Sequence, residues 1–304
     1  MTGTATLRLR GRLGDEWTGS GNLTLSRGTV ARVEVVDWSL PFEFRVVPRE
    51  RRGQIDVYQT SAQVARGRVS GRVSLGWGVG SRLDGRFRFS RLELRGLSRA
   101  AGGVNEVGGG LVSGRLDLGG SDVRSLADVT ATLEASLQRA QALQAPVLQQ
   151  VGRYVLPGLA PTTAFDAGDL RARLARGIVR VERLRLVSPT LQLIMEGRVT
   201  LQGRLDLEVT AMTGNVGVNL PALRLLGVRL PATGAIPVPL IARVSELLSN
   251  RVIHLHVGGT VRSPVIQVDP VALLSEEAVR FFLAWATGGF SGAVIGPSLI
   301  EGLP

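Results

Sequence analysis

The 304-residue sequence contains no cysteine, and none of its 36 basic side chains is a lysine. The first absence rules out disulfides, thiolate metal sites and thiol nucleophiles. The second rules out a Walker A loop, a Schiff base and a kinase-type lysine. No G-x-S-x-G elbow and no H-E-x-x-H motif occurs either. Only two histidines are present, His254 and His256, in the phrase Arg251–Val257. On a strand they project to one face. They are either two metal ligands lacking a signalled third, or two polar side chains opposite Ile253, Leu255 and Val257. The second reading is the expectation, so no metal site is expected. The glycine-rich run Gly102–Gly110 lacks the strand–turn–helix setting of a nucleotide loop and reads as a hairpin or crossover loop. With these systems gone, the expectation is a protein that is not an enzyme and uses no cofactor.

Aromatics are also scarce, at 5%, although 44% of residues are hydrophobic and the mean hydropathy is +0.18. The apolar content is therefore mostly Val, Leu and Ala, interspersed with 39 glycines. That mixture suits short strands separated by turns. The net charge of +11 is carried entirely by arginine, whose planar fork suits carboxylate and phosphate partners. Nucleic-acid binders interleave aromatics with their basic residues. Here Phe87 and Phe89 alternate with Arg86 and Arg88 and should face away from them, so no nucleic-acid partner is expected. Met1–Arg12 alternates instead of forming a secretory signal. A role outside the cytoplasm would thus require sequence upstream of this start.

Alternation of apolar and polar residues is the dominant pattern. Leu191, Leu193, Met195, Val199 and Leu201 occupy one row, with Gly197 filling its gap and Ile194 the lone apolar residue on the other side. A turn at Gln202-Gly203 leads into Leu205, Leu207, Val209 and Ala211, set against Arg204, Asp206 and Glu208. The same design appears in Leu7, Leu9 and Leu13 against Arg8, Arg10 and Arg12. It returns in Val69, Val73, Leu75, Trp77 and Val79, in Phe87 and Phe89 with Leu92 and Leu94 after a short turn, and in Leu116 and Leu118. A phase slip at Glu182-Arg183, between Val179/Val181 and Leu184/Leu186, predicts a tight turn or bulge. A glycine–arginine–apolar phrase recurs at Gly11, Gly67, Gly71, Gly85, Gly114, Gly197 and Gly203 without a strict period. The pattern predicts a β-meander.

Four regions follow. Residues 1–120 form an N-terminal antiparallel β block. Residues 121–160 read as a helical insertion, with Leu126, Leu133, Leu137 and Ala140 at helical spacing. Ser125 and Asp128 fit a capping box there, and Pro146 restarts a stripe of Val147, Leu148, Val151 and Val155. Residues 161–269 form a C-terminal β block, closing on the pair Val252–Val257 and Val265–Val268 around a turn at Arg262-Ser-Pro264, after a proline-rich stretch at Leu220–Leu240. Residues 270–304 form an amphipathic helix and tail. In Pro270–Trp285, Leu274, Phe281, Phe282 and Trp285 share a side that either caps the sheet or meets a membrane interface. Phe281–Ile300 carries no charge, yet its glycines and Pro297 make a poor spanning helix.

The order of phrases in residues 110–275 is distinctive. Gly114-Arg-Leu-Asp-Leu118 precedes the leucine-spaced segment. Phe165-Asp-Ala-Gly-Asp-Leu170, Val179–Leu186, Ser188–Leu193 and Gly203-Arg-Leu-Asp-Leu207 follow, and Val257-Gly-Gly-Thr-Val-Arg-Ser-Pro-Val-Ile266 ends the series. This order resembles the C-terminal region of the AsmA-like family, the AsmA/TamB/YhdP group; residues 1–100 fit it only in style. The resemblance implies a bacterial envelope protein in the periplasm, anchored to the inner membrane in full-length form. It also implies a long curled β-groove that carries phospholipid between membranes and serves outer-membrane biogenesis. The anchor is not in this chain, and the chain is short for that family.

The expected fold is therefore mainly β: a long curled antiparallel sheet with an inserted helix and a C-terminal helix. Open sheets of more than about ten strands curl or split, so the apolar face either lines a trough or closes into a sandwich core. The candidate lining residues are Val73, Leu75, Phe87, Phe89, Leu191, Leu193, Met195, Val199, Leu201, Leu205, Leu207 and Val209. The expected partners are a phospholipid or other acyl lipid and a membrane surface. The alternative is a structural or assembly module that pairs its sheet edge with other envelope proteins by β-augmentation.

Overall fold

A computed structural model describes residues 2–30, 33–100, 108–142, 145–155, 164–189, 191–213 and 252–268. Its fourteen strands form one antiparallel sheet in which spatial order equals chain order. The first seven are β1 (Thr2–Arg12), β2 (Trp17–Val30), β3 (Val33–Val47), β4 (Arg52–Val64), β5 (Gly67–Trp77), β6 (Arg82–Glu93) and β7 (Leu111–Ser121). The rest are β8 (Thr130–Ala140), β9 (Phe165–Ala175), β10 (Ile178–Val187), β11 (Leu191–Thr200), β12 (Leu205–Thr213), β13 (Val252–Gly259) and β14 (Pro264–Val268). The sheet does not close, because β1 pairs with β2 alone and β14 with β13 alone. Among the described residues two α-helices join it: α1 (Leu94–Ala100) after β6, and α2 (Pro146–Val155) after β8.

Because every strand reverses, the two ends of the sheet differ in character. One end carries only short turns, at residues 13–16, 48–51, 78–81, 122–129, 176–177, 201–204 and 260–263. The Arg176-Gly177 turn has φ of 51° and 72°, the paired left-handed geometry of a type I′ hairpin, which matches strand twist. The other end holds both helices.

Local chemistry accounts for the interruptions. At Ser125 the side chain accepts from the Ala127 N–H while the Asp128 carboxylate accepts from the backbone of Arg124 and Ser125. This is the expected capping box. The two backbone donors, Arg124 first, hold the Asp128 carboxyl below its ordinary range. The box closes a single 3-10 turn, Leu126–Asp128. Thr130–Ala140, which the leucine spacing assigns to a helix, is strand β8. Leu133 and Leu137 are four residues apart, a separation that satisfies both periods. Ala131, Leu133, Ala135 and Leu137 complete the period of two, and pairing with β7 and β9 decides the matter. The helix restart at Pro146 is present as α2, with Leu148, Val151 and Val155 buried.

Other expectations resolve in the same way. The slip at Glu182-Arg183 is a bulge that shifts register against both neighbours. Gly203, at φ 83°, makes the turn that donates to Thr200 O. The terminal hairpin of β13 and β14 is formed, with its turn closed by Thr260 and Ser263. Leu13 and Val79 are not strand residues; both stand exposed in turns. Leu92 follows Phe89 within β6 across a bulge, and Leu94 starts α1, a helix the pattern did not signal. Leu220–Leu240, Pro270–Trp285 and Phe281–Ile300 lie outside the described residues, as does most of Gly102–Gly110.

Candidate functional site

In an antiparallel pair, residues in register share a face. Following the registers across the sheet therefore maps each face completely. One row starts at Val57 and passes through Val73, Gly85 and Leu118 to Ala131. It continues through Leu174, Val179 and Val199 to Leu205. A second starts at Gly71 and Phe87 and passes Leu116, Leu133, Ala172, Val181, Gly197 and Leu207 to reach Val257 and Ile266. No polar side chain interrupts either row. The one face thus joins Val73 and Phe87 of the first block to Val199, Leu205 and Leu207 of the second. Phe89, Met195 and Val209 belong to a parallel row beside them. The polar group that does enter this face, Thr60, is buried and satisfied: it accepts from Trp38 Nε1 and donates to Ser39 O, each at 2.9 Å.

Glycine and aromatic residues pair across this face. A Cβ placed on Gly21 would stand 2.5 Å from Phe42 Cζ, and one on Gly19 or Gly114 would stand 2.8 Å from Phe44 or Phe89. Gly53 and Gly71 stand in the same relation to Trp77 and Phe87. Five of the scarce aromatics therefore lie over glycines on adjacent strands, an arrangement that supports the twist of a long sheet. This accounts for glycine at these five positions inside strands, where it would otherwise weaken them.

Exposure divides the face. Near the helical end, Leu25, Val35 and Ala62 form one buried cluster and Leu92, Val112 and Ala135 another. The largest joins Leu148, Val151 and Val155 of α2 to Phe165, Leu186, Leu191, Leu193, Met195, Leu205, Leu207, Val209 and Val257. Helix α2 leaves β8 and returns to β9, yet it touches β13 and β14. It is about 15 Å long and lies across the face of those strands. Leu191, Leu193, Met195, Leu205, Leu207 and Val209 are buried in this cluster, contrary to their expected place in an open trough. Toward the turn end of the first block the face is open: Leu75 is 45% exposed, Trp17 41% and Leu9 60%, with Val73, Phe87 and Phe89 half-buried. Leu201 is exposed but sits in the turn after β11, outside the row. Leu274, Phe281, Phe282 and Trp285 lie outside the described residues.

The opposite face is a lattice of charge. Glu134 on β8 receives Arg115 from β7 and Arg171 from β9, each at 2.7 Å. Burial alone would raise its carboxyl, but the hydrogen bond and charge of Arg115, and then Arg171, outweigh that and hold it below the ordinary range. Asp169 takes Arg183 and Arg185 at 3.0 and 2.9 Å. Arg173 pairs with Glu182 and Arg86 with Asp117. The Tyr58 hydroxyl donates to Glu43, and that bond to a carboxylate raises its pKa. Both histidines lie on this face: His254 shares a hydrogen bond with Thr210, and His256 stands 3.9 Å from Asp206. Among the described residues no group of three or more His, Asp or Glu side chains could hold a metal ion. Ile194, the apolar exception, is buried here between Arg185 and Thr210, one step along the face from Gln192, whose partners are Val187 and Met212.

Among the described residues no helix is long and apolar enough to cross a membrane. No protein-family model, curated protein or solved structure matches the chain.

Proposed function

We propose that the chain is a non-enzymatic carrier that shields lipid acyl chains on the open part of its apolar face. One observation carries the reading: rows free of polar side chains run from strand to strand by register, and toward the turn end of the first block the same face is half-buried at Val73 and Phe87 and exposed at Leu75. Monomeric soluble proteins rarely leave large contiguous apolar patches exposed, and those that do use them to bind. The whole face extends about 60 Å at the usual strand spacing. An acyl chain exposes more than a dozen methylenes, each worth about 0.8 kcal/mol in water. A continuous face can therefore offset a barrier on the order of 10 kcal/mol without any reacting group. The covered second half then acts as the core that holds the open half in shape. The resemblance to AsmA-like proteins supports the same reading and with it a place in the bacterial envelope, moving phospholipid between membranes.

The test is binding of a fluorescent phospholipid by the purified chain, compared with Leu75→Glu and Phe87→Glu variants. Saturable binding that both variants lose while retaining their circular dichroism supports the proposal. Unchanged binding by both removes the apolar face from the function.

A further inference from the structure

We infer that the short-turn end of the sheet is a docking surface for an anionic lipid bilayer. Turns ordinarily carry Gly, Pro, Asn, Asp or Ser at their tips. Here five consecutive turns each present a large apolar side chain to solvent, in or beside the turn: Val79, Leu126, Ile178, Leu201 and Val261. Val79 is fully exposed, Leu126 is 72% exposed, and the other three lie between 40% and 45%. Among the described residues the helical end exposes no large apolar side chain. Apolar residues scattered singly over a surface mean little, but these belong to one ridge. The Asp122 N–H donates to Ser81 O at 2.6 Å, the Leu201 N–H to Gly177 O at 3.0 Å and the Val261 N–H to Gly203 O at 2.9 Å. Gly177 closes the remaining gap, since a Cβ there would stand 3.6 Å from Ala127 Cβ and 3.7 Å from Leu201 Cδ1. Each of the five turns thus adjoins the next.

Charge names the partner. In or beside the same five turns stand Arg82, Arg124, Arg176, Arg204 and Arg262, all exposed and none with an ion pair among the described residues. The acids of these turns are Asp122 and Asp128, both beside Arg124, and Asp128 is engaged by the backbone of Arg124 and Ser125. Behind the ridge, Arg173, Arg180 and Arg198 stand in register on three adjacent strands. Glu182 and Asp206 pair with the outer two, and Arg180 has no ion pair among the described residues. The turns of β1–β4 differ: there Arg49 pairs with Asp15, Arg45 with Glu16 and Arg52 with Glu50.

Apolar tips interspersed with unpaired arginines match a bilayer interface. The tips enter the boundary of the acyl chains while the guanidinium forks meet the phosphates. Anionic headgroups add a favourable increment for each arginine near the surface. A soluble polyanion would engage the arginines and leave the tips in water. The ridge is separate from the open apolar face, so the inference stands without the carrier reading.

The experiment uses the full chain, whose lack of cysteine allows a single label at a chosen position. Leu201→Cys and Val261→Cys on the ridge, and Gln138→Cys toward the helical end of β8, would each carry an environment-sensitive fluorophore. The vesicles are phosphatidylcholine alone or phosphatidylcholine mixed with phosphatidylglycerol. Mixed vesicles should bind the chain, shift both ridge labels to the blue and expose them to a lipid-borne quencher, with the Gln138→Cys label unchanged. Arg124→Gln/Arg176→Gln/Arg204→Gln/Arg262→Gln should weaken that binding about tenfold or more, and high salt should weaken it in the wild type. Absence of binding to mixed vesicles, an equal response at Gln138→Cys, or equal binding to both kinds of vesicle would overturn the inference. So would binding of heparin with no response of the ridge labels to vesicles, which would mark a polyanion site. The labelled chains keep every arginine, so the outcome stands whether or not the fourfold variant folds. Vesicles read docking and a dispersed fluorescent phospholipid reads carriage, so failure of one leaves the other standing.

Discussion

The ring of Phe87 on β6 lies over Gly71 on β5, so that a Cβ on Gly71 would come 2.5 Å from Phe87 Cδ1. The two residues form one packing unit: the strand gives up a side chain and its neighbour supplies an aromatic cover. Gly71→Ala should therefore destabilise the protein by about 1–3 kcal/mol, the usual range for overpacking. Adding Phe87→Leu should recover part of that loss. Urea unfolding of the single and double variants measures both. A double variant as unstable as the sum of its parts would show that the ring and the glycine are independent.

Glu134 ties three strands together through Arg115 and Arg171. Its folded carboxyl lies below its unfolded value, so its contribution to stability is present above the unfolded pKa and fades as pH falls through the folded one. The wild type should lose stability between about pH 5 and pH 3 more steeply than Glu134→Gln. At neutral pH the substitution should cost about 1 kcal/mol, because the pair is partly solvated. Parallel pH-stability curves for the two proteins would remove Glu134 from the account.

Helix α2 and the sheet should unfold together. Val151 is fully buried among Phe165, Leu186 and Leu191. Val151→Asp places a carboxylate in that cluster and should cost more than 3 kcal/mol, whereas Leu75→Asp, at an exposed position, should cost under about 1 kcal/mol. The pair of thermal melts checks the division between a covered and an open face. Equal losses at the two positions would contradict it.

The strands and their faces were legible in the sequence because alternation is a local property. Leu191–Ala211, with its glycine gap at Gly197 and its turn at Gly203, folds as the pattern reads. What failed was local ambiguity and long-range cover. Leu133 and Leu137 fit a helix until β7 and β9 are placed beside them. The distinction between Leu75, exposed, and Val209, buried, depends on what packs over each strand, which no pattern within either strand records. The glycine–aromatic units were hidden for the same reason. Gly71 and Phe87 are sixteen positions apart and meet only through register.

The central claim is that acyl chains lie on the open apolar face, and the most direct test is to map where one sits. The chain would be loaded with a phospholipid carrying a photoactivatable diazirine midway along its acyl tail, then irradiated and digested, and the adducts located by mass spectrometry. The account predicts saturable labelling within β4–β7, at Leu75, Phe87, Phe89 and their neighbours on the same rows. Labelling of the arginine face at Arg86 and Arg88, or labelling that excess unlabelled phospholipid does not displace, would contradict it.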